Sequence, residues 1–162
     1  MFSPALIALA KNVLNEARAK NLRIATAESC TGGLIAALLT EIPGSSDVVE
    51  RGFVTYSNKA KRDLLGVPGP MITREGAVSK SVACAMAEGA LARADAELAV
   101  AVTGVAGPTG GTPEKPVGLV HIAAVRSGRT TVHEEHHFGD IGRTEVRLKT
   151  VEEALLLLRK LI

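Results

Sequence analysis

The stretch from Leu22 to Ile42 reads LRIATAESCTGGLIAALLTEI, and it carries the pattern that decides the fold. Its first part, Leu22–Ala27, is short and apolar, as expected for a strand. Apolar residues recur at helical spacing from Leu34 to Ile42, and Pro43-Gly44 then ends the helix. The polar, glycine-containing segment Glu28–Gly33 joins the two. A strand that hands over directly to a helix is a building unit of α/β folds.

Outward from this unit, helix and strand patterns alternate along the chain. Helical spacing and capping residues predict further helices, one starting at Ser3-Pro4 and stopping near Asn21, and others at Asn58–Leu65, Ser79–Arg93 and Thr144–Leu161. Strand patterns occupy Gly52–Ser57, Leu98–Thr103, Val117–Arg126 and Thr130–Phe138. Pro68-Gly69-Pro70 is predicted as a turn or loop. We predict one α/β domain over residues 1–162, a three-layer α/β/α architecture with a mixed, roughly five-stranded sheet.

The composition restricts how the chain can bind ligands. Of its 162 residues, 46% are hydrophobic but only 2% are aromatic, so the core is built from Ala, Val, Leu and Ile. The aromatic residues are Phe2, Phe53, Tyr56 and Phe138. Stacking of bases on broad aromatic surfaces is therefore excluded as a binding mode. High apolar content with a net charge of +2 also excludes a disordered chain.

Charge and cysteine content exclude further classes. Nineteen basic residues face seventeen acidic ones, and the longest basic cluster is Lys59–Arg62. A nucleic-acid partner needs a larger local excess of positive charge, so none is expected. No apolar run is long enough to span a bilayer, and no membrane partner is expected. Two cysteines, Cys30 and Cys84, make neither a disulfide framework nor a four-ligand zinc site. We predict a cytoplasmic protein.

Glu28–Gly33 is the first segment that could carry chemistry. Backbone amides at a helix start attract anions, and glycine permits close approach of a ligand. Ser29 and Thr31 add hydroxyl groups, and Cys30 adds a thiol. The same residues also suit a capped strand-to-helix turn with a buried cysteine. This segment alone leaves both interpretations open.

Tyr56–Lys61 is the second such segment. An activated serine needs a base, and a desolvated lysine with a lowered pKa can serve as one. Lys59 and Lys61 are both candidates, but they are separated by about 200° around a helix, so only one is expected to point inward. The alternative is that both are solvated surface charges.

Gly104–Pro116 is a long loop that follows the most apolar strand, and it begins within the motif Thr103–Gly111. Ligands of open α/β sheets bind beyond the carboxyl ends of strands, where this loop is expected to lie. Its amides could hold a phosphate or an oxyanion. It matches neither the Walker A pattern nor the dinucleotide-binding pattern. The alternative is a loop without function.

The last strand is rich in possible metal ligands. It contains His133, Glu134, Glu135 and His136. Because side chains alternate along a strand, His133 and Glu135 share one face, while Glu134 and His136 share the other. We therefore predict a polar edge strand and no metal site.

Taken together, the motifs resemble the CinA carboxy-terminal family, whose characterised members include nicotinamide-nucleotide amidase. The matching stretches are TAESCTGG (Thr26–Gly33), PGSSDVVERGFVTYSNKAKRDLLGV (Pro43–Val67), GAVS (Gly76–Ser79), TGVAGPTGG (Thr103–Gly111) and KPVG (Lys115–Gly118). They occur in the family's order and cover nearly the whole chain. Many family members carry a separate nucleotide-processing domain upstream, and this chain resembles the stand-alone form.

The resemblance implies hydrolysis of the carboxamide of nicotinamide mononucleotide, without a metal or a cofactor. It places the nucleophile on Ser29 and adds Tyr56 and Lys61 as catalytic residues, with Lys59 in a variable position. Cys30 is the rival nucleophile. The implied substrate-binding residues are Glu28, Cys30, Thr31, Gly32, Gly33, Thr103, Gly104, Ala106, Gly107 and Lys115.

Two other functions fit the same resemblance. The first is a non-catalytic nucleotide-binding or interaction module in competence or DNA-damage responses. The second is an amidase for a related pyridine compound. The intact set Ser29, Tyr56 and Lys61 favours an enzyme, because a binding module needs no such set. Apolar faces on several helices favour a homo-oligomer, with a dimer as the first expectation.

Overall fold

The computed structural model describes residues 1–162, and its framework is a mixed five-stranded sheet. The strands are β1 (Ile24–Glu28), β2 (Val49–Val54), β3 (Leu98–Gly104), β4 (Leu119–Arg126) and β5 (Val132–His137). They lie in the order β2-β1-β3-β4-β5. β1 runs parallel to β2 and β3, whereas β4 runs antiparallel to β3 and β5. The carboxyl ends of β2, β1 and β3 therefore meet at the same edge of the sheet.

Helices cover both faces of this sheet. They are α1 (Pro4–Ala19), α2 (Leu34–Thr40), α3 (Asn58–Leu65), α4 (Gly69–Glu75), α5 (Lys80–Arg93) and α6 (Arg143–Arg159). α2 and α6 pack on one face, with α1 against them, and α5 packs on the other, with α3 and α4 against it. This arrangement confirms the predicted three-layer α/β/α fold with a mixed sheet. No helix is both long and apolar enough to cross a membrane.

The two faces of the central strand β3 differ in side-chain size. Leu98, Val100 and Val102 belong to the core under α6, whereas Ala99 and Ala101 belong to the core under α5. Small residues let the alanine-rich helix α5 lie close to the sheet. Larger aliphatic side chains fill the thicker layer under α6. The core, which has almost no aromatic residues, is therefore packed with small side chains on one face of the sheet and with larger aliphatic side chains on the other.

α3 rests directly on α5 at a glycine. A Cβ atom added to Gly89 of α5 would lie 2.0 Å from the carbonyl oxygen of Leu65, the last residue of α3. The backbones of the two helices therefore touch at this point, and no larger residue fits between them.

Two predicted elements differ from the structure. Pro68-Gly69-Pro70 does not form a separate loop, because Gly69 and Pro70 start helix α4. Proline is compatible with a first helical turn, where an amide hydrogen has no partner within the helix. The second strand is Val49–Val54 and not Gly52–Ser57, since the chain leaves the sheet before Tyr56. The prediction of a polar edge strand is confirmed by β5, which lies at the edge of the sheet and has no fully buried residue.

Candidate active site

A cavity of about 370 Å³ lies where the loops after β1, β2 and β3 come together. Its position at the carboxyl ends of the parallel strands is the usual place for a ligand in an open α/β sheet. The lining residues are Ser29, Cys30, Tyr56, Asn58, Lys61, Ala77, Val78, Thr103, Gly104, Val105, Ala106, Gly107, Thr109, Gly110 and Arg143. The structure thus brings together residues that are far apart in the sequence.

Ser29 and Lys61 form the centre of this cavity. Ser29 directly follows β1, and Lys61 projects from the first turns of α3. The Lys61 Nζ lies 2.8 Å from the Ser29 Oγ. It also donates a hydrogen bond to the carbonyl oxygen of Thr55 at 2.8 Å. Only 1% of the Lys61 surface is exposed, so this contact is shielded from water.

The start of α3 determines which lysine faces inward. The Ser57 hydroxyl accepts a hydrogen bond from the Ala60 amide and so caps the helix at its start. This phase turns Lys61 toward Ser29. It leaves the Lys59 side chain 74% exposed in an ion pair with Asp63. The spacing argument left two lysines open, and the structure selects Lys61.

Burial controls the protonation of the two reactive groups beside Ser29. Desolvation lowers the pKa of the Lys61 ammonium from its usual value of 10.5, which favours the neutral amine. Desolvation raises the pKa of the buried Cys30 thiol to about 12. Cys30 is therefore a protonated thiol near neutral pH, and a protonated thiol is a poor nucleophile.

Glu28 lies behind the cavity rather than in its wall. Its fully buried carboxylate accepts hydrogen bonds from the Thr31 hydroxyl at 2.6 Å, from the Ile35 amide at 2.8 Å and from the Ala36 amide at 3.1 Å. The carboxylate thus occupies the amino terminus of α2, where an anionic ligand would otherwise bind. Thr31, Gly32 and Gly33 also lie outside the cavity lining.

The β3–β4 loop forms the opposite wall. Thr103, Gly104, Ala106 and Gly107 all line the cavity, as the predicted site requires. The Thr103 hydroxyl donates to the carbonyl oxygen of Ala77 at 2.9 Å, which ties β3 to the segment before α5. Lys115 is not in the lining. Its ammonium donates instead to the carbonyl oxygen of Glu75.

Arg143 is a cavity residue that the sequence reasoning missed. It is the first residue of α6, and its guanidinium donates to the Tyr56 hydroxyl at 3.0 Å and to the Gly107 carbonyl oxygen at 2.8 Å. Tyr56 itself is 61% exposed at the cavity mouth. A cation is disfavoured by the dipole at a helix amino terminus. An arginine at that position was the available signal that another interaction holds it there.

A second polar cluster lies on β5, away from this cavity. Ligand atoms of Glu134, His136 and Glu153 lie within 4.8 Å of one another. The sequence analysis paired Glu134 with His136 but missed Glu153, which α6 supplies. The Lys160 ammonium donates to the Glu134 carboxylate at 2.8 Å and so already places a positive charge there.

Comparison with known proteins places this arrangement in a family. A family model described as the CinA C-terminal domain matches residues 6–162. A CinA-like protein of Synechococcus sp. (strain RCC307) is 51% identical over 93% of this chain and 36% of its own length. One of Anaeromyxobacter sp. (strain Fw109-5) is 51% identical over 87% of this chain and 34% of its own length. The chain therefore spans about a third of the length of the curated relatives it matches.

Solved structures give the same result. The competence/damage inducible protein of Agrobacterium tumefaciens has a TM-score of 0.98 and 55% sequence identity, with coverage of 99% of this chain and 98% of that one. A CinA superfamily protein of Escherichia coli has a TM-score of 0.92 and 34% identity, with coverage of 100% and 94%. The sequence match and the shared fold agree, and this chain belongs to the CinA C-terminal domain family.

Proposed function

We propose that this chain hydrolyses the carboxamide of nicotinamide mononucleotide to nicotinic acid mononucleotide and ammonia in the cytoplasm. Ser29 is the nucleophile and Lys61 is its base. The observation that supports this most strongly is the buried contact of 2.8 Å between the Ser29 Oγ and the Lys61 Nζ. A serine paired with a desolvated lysine is a recognised form of activated nucleophile.

The hydrogen bonds around Lys61 favour a neutral amine that can accept a proton. The Thr55 carbonyl oxygen can only accept, so Lys61 must donate to it. The Ser29 hydroxyl can donate to the lone pair of a neutral amine. No carboxylate forms an ion pair with Lys61, because the Glu28 carboxylate is engaged by α2. The ammonium form therefore lacks the partner that would stabilise it.

The reaction follows in two balanced steps. As the Ser29 Oγ attacks the carboxamide carbon, its proton passes to Lys61, and a tetrahedral intermediate forms. Lys61 then returns this proton to the nitrogen of the amide, the C–N bond breaks, and ammonia leaves an ester on Ser29. Water attacks that ester, with Lys61 taking a proton from the water and returning it to the Ser29 Oγ, which releases the carboxylic acid.

Backbone amides on both walls can stabilise the oxyanion. The amides of Cys30, Ala106 and Gly107 belong to cavity-lining residues and donate to no acceptor within the protein. Cys30 follows the nucleophile directly, which is a common position for such a donor. Because Glu28 already occupies the amides of Ile35 and Ala36, these free amides are the better candidates.

Arg143 gives the cavity its positive charge at the mouth. Its guanidinium is held by Tyr56 and Gly107, and such a group suits a phosphate through two charge-assisted hydrogen bonds. We place the substrate phosphate here, and the pyridine carboxamide at Ser29. Tyr56 then acts by orienting Arg143, and Lys61 acts directly on Ser29.

An assay of ammonia release tests this function. The purified chain is incubated in turn with nicotinamide mononucleotide, nicotinamide, its riboside and the dinucleotide. We expect ammonia from the mononucleotide above all, since nicotinamide and its riboside lack a phosphate for Arg143, and the phosphate of the dinucleotide carries an additional adenylate group. Release from another of the four compounds would redirect the proposal to a different amidase. Binding of the mononucleotide without any release would indicate a binding module and overturn it.

Two matched variants separate the rival nucleophiles. Ser29→Ala removes the proposed nucleophile, and we expect no ammonia release above background from a folded protein. Cys30→Ala removes a protonated thiol from the same loop, and we expect activity to stay within a few-fold of the wild type. The opposite pattern would assign catalysis to Cys30.

A further inference from the structure

Helix α6 reaches the nucleophile loop Ser29–Gly33 through a second arginine. Arg147 lies one helical turn after Arg143. Its Nε donates to the carbonyl oxygen of Cys30 at 3.1 Å, and its Nη2 donates to that of Thr31 at 3.0 Å. Arg147 is not among the residues that line the cavity, and it makes no hydrogen bond to Ser29. Its two bonds go to the backbone that immediately follows the nucleophile.

We propose that Arg147 is a positioning residue that fixes the backbone of the nucleophile loop from outside the cavity. This inference rests on the proposed function of Ser29. A peptide unit is planar, so holding the Cys30 carbonyl also fixes the direction of the Thr31 amide. Holding the Thr31 carbonyl fixes the next peptide unit in the same way. Arg147 thereby sets the two peptide planes on either side of Thr31.

The other contacts of this loop close turns within it and hold its two ends. The Gly32 amide donates to the Ser29 carbonyl oxygen at 3.0 Å, and the Leu34 amide donates to the Thr31 carbonyl oxygen at 3.2 Å. The Ser29 amide donates to the Val102 carbonyl oxygen of β3 at 3.1 Å, which anchors the start. The Glu28 carboxylate binds the Thr31 hydroxyl and the first amides of α2, which anchors the far end. The Cys30 carbonyl oxygen accepts from Arg147 and from no other group of the protein. Without Arg147, the Cys30 carbonyl oxygen has no hydrogen-bond partner, and no side chain of α6 holds this peptide unit.

The chemistry of this contact requires an arginine. The planar guanidinium presents two parallel donors to two successive carbonyl oxygens, and a lysine ammonium on a flexible stem cannot reproduce this fork. The loop leaves room for it at a glycine: a Cβ atom on Gly32 would lie 3.4 Å from the Arg147 Nη2, and Gly32 has a φ of +60°. The loop and the arginine are therefore matched in shape.

The spacing of the two arginines extends the role to the whole cavity. Residues four apart lie on the same side of a helix. Arg143 holds Tyr56 and the Gly107 carbonyl oxygen, while Arg147 holds the loop after β1. One helix thus connects the segments that follow β1, β2 and β3. The relative position of nucleophile and oxyanion donors depends on this connection.

The test compares Arg147→Met and Arg147→Lys with a control on the same helix. Arg159→Met removes an exposed arginine at the far end of α6, where it pairs with Glu16 of α1. The measurements are kcat and KM for nicotinamide mononucleotide, and hydrogen exchange of the amides of Cys30–Gly33. We expect Arg147→Met to lower kcat by about 30- to 100-fold, because a displacement near 1 Å can cost about that much. KM should change less than about threefold, as expected when an interaction acts in the transition state alone.

Exchange of the Gly32 amide, which donates to the Ser29 carbonyl oxygen, should become faster in Arg147→Met and stay unchanged in Arg159→Met. Arg147→Lys should fall between wild type and Arg147→Met in both kcat and exchange, and it supplies both readouts if the methionine variant does not fold. Unchanged kcat together with unchanged exchange would overturn the proposal. So would a raised KM at constant kcat, which would make Arg147 a substrate-binding residue. If the wild type releases no ammonia, the proposed function fails, and loop exchange alone then decides whether Arg147 holds the loop.

Discussion

The edge of the sheet that carries the cavity (the cavity edge) and the β4–β5 hairpin both carry titratable groups, but the environments of these groups differ. At the cavity edge, Lys61 and Glu28 are fully buried and form no ion pair with each other. Each is bound to neutral groups instead: a hydroxyl and a carbonyl for Lys61, a hydroxyl and two amides for Glu28. On the hairpin, Glu134 pairs with Lys160 and His136 in partly exposed positions.

This difference distinguishes ion pairs near the surface from buried charged groups that are candidates for a chemical role. Partly exposed ion pairs contribute little to stability and can be exchanged for other polar pairs. A buried lysine without a carboxylate is costly to desolvate, so its retention indicates a task other than stability. The comparison therefore makes Lys61, rather than the more numerous groups of the hairpin, the candidate for a chemical role.

Lys61→Met is the strongest way to break this comparison. Removing the base should lower kcat by about 10³-fold, within the range for loss of a general base. Stability should be equal to the wild type or higher, because a methionine fills the space without a desolvated amine. Kinetics and thermal unfolding measure the two effects. Activity within tenfold of the wild type would show that Ser29 does not depend on Lys61.

Glu28→Gln tests the other buried charge. The amide keeps the shape but loses a charged acceptor for the first amides of α2, so the free energy of unfolding should fall by about 1–3 kcal/mol. Activity should fall as well, since the nucleophile loop Ser29–Gly33 starts at the next residue and Glu28 binds Thr31 within it. Chemical unfolding and the ammonia assay provide the two values. A variant as stable as the wild type would show that the carboxylate is not needed as a cap.

The pH dependence of stability tests whether burial lowers the pKa of Lys61 in the folded protein. Its folded pKa lies below 10.5, so between these two values the unfolded chain binds more protons than the folded one. Stability should therefore rise as the pH increases through this window. The slope should be absent in Lys61→Met. An equal slope in both proteins would assign it to another group.

A smaller effect of the same sign is expected at lower pH. Burial lowers the pKa of both His121 and His133, whose rings meet through a nitrogen–nitrogen contact of 2.9 Å. Below pH 6.5 the unfolded chain takes up protons that the folded pair resists, so stability should fall as the pH decreases. His133→Gln should weaken this dependence. Unfolding measured at pH 7.5 and at pH 5 tests it, and an unchanged fall would contradict it.

Lys59→Ala is the matched control with the smallest expected effect. Lys59 lies two residues from Lys61 but is exposed and paired with Asp63. Its loss should change stability by less than about 0.5 kcal/mol and leave kcat unchanged. A large loss of activity would mean that the inward and outward lysines of α3 had been assigned to the wrong roles.

The sequence predicted the sheet and its helices because these arise from local periodicity. The edge strand β5 is predicted from its polar residues, and the central strand β3 is predicted from its short apolar run. The prediction of a turn or loop at Pro68-Gly69-Pro70 was wrong, and helix α4 was missed, because proline permits both a loop and a first helical turn. The packing of this segment on α5 favours the helix. The dimer, the cytoplasmic location and the single domain remain predictions.

The site was predictable where the signal is local and missed where it is not. Ser29 and the glycine-rich loop lie in recognisable motifs, and the resemblance selected Lys61. Glu28 was assigned to substrate because the direction of a buried carboxylate cannot be read from its position in a motif. Arg143 and Arg147 were missed because each acts on backbone distant in the chain, at Gly107 and at Cys30. Such contacts leave no periodic pattern.

The close approach of α5 to α3 has a consequence for the position of Lys61. The distance between Lys61 and Ser29 depends on where α3 lies, and α3 packs against the backbone of Gly89. A methyl group at this position would displace α3 and increase the distance between the Lys61 Nζ and the Ser29 Oγ. Gly89 therefore helps to set the position of Lys61 although it does not line the cavity itself.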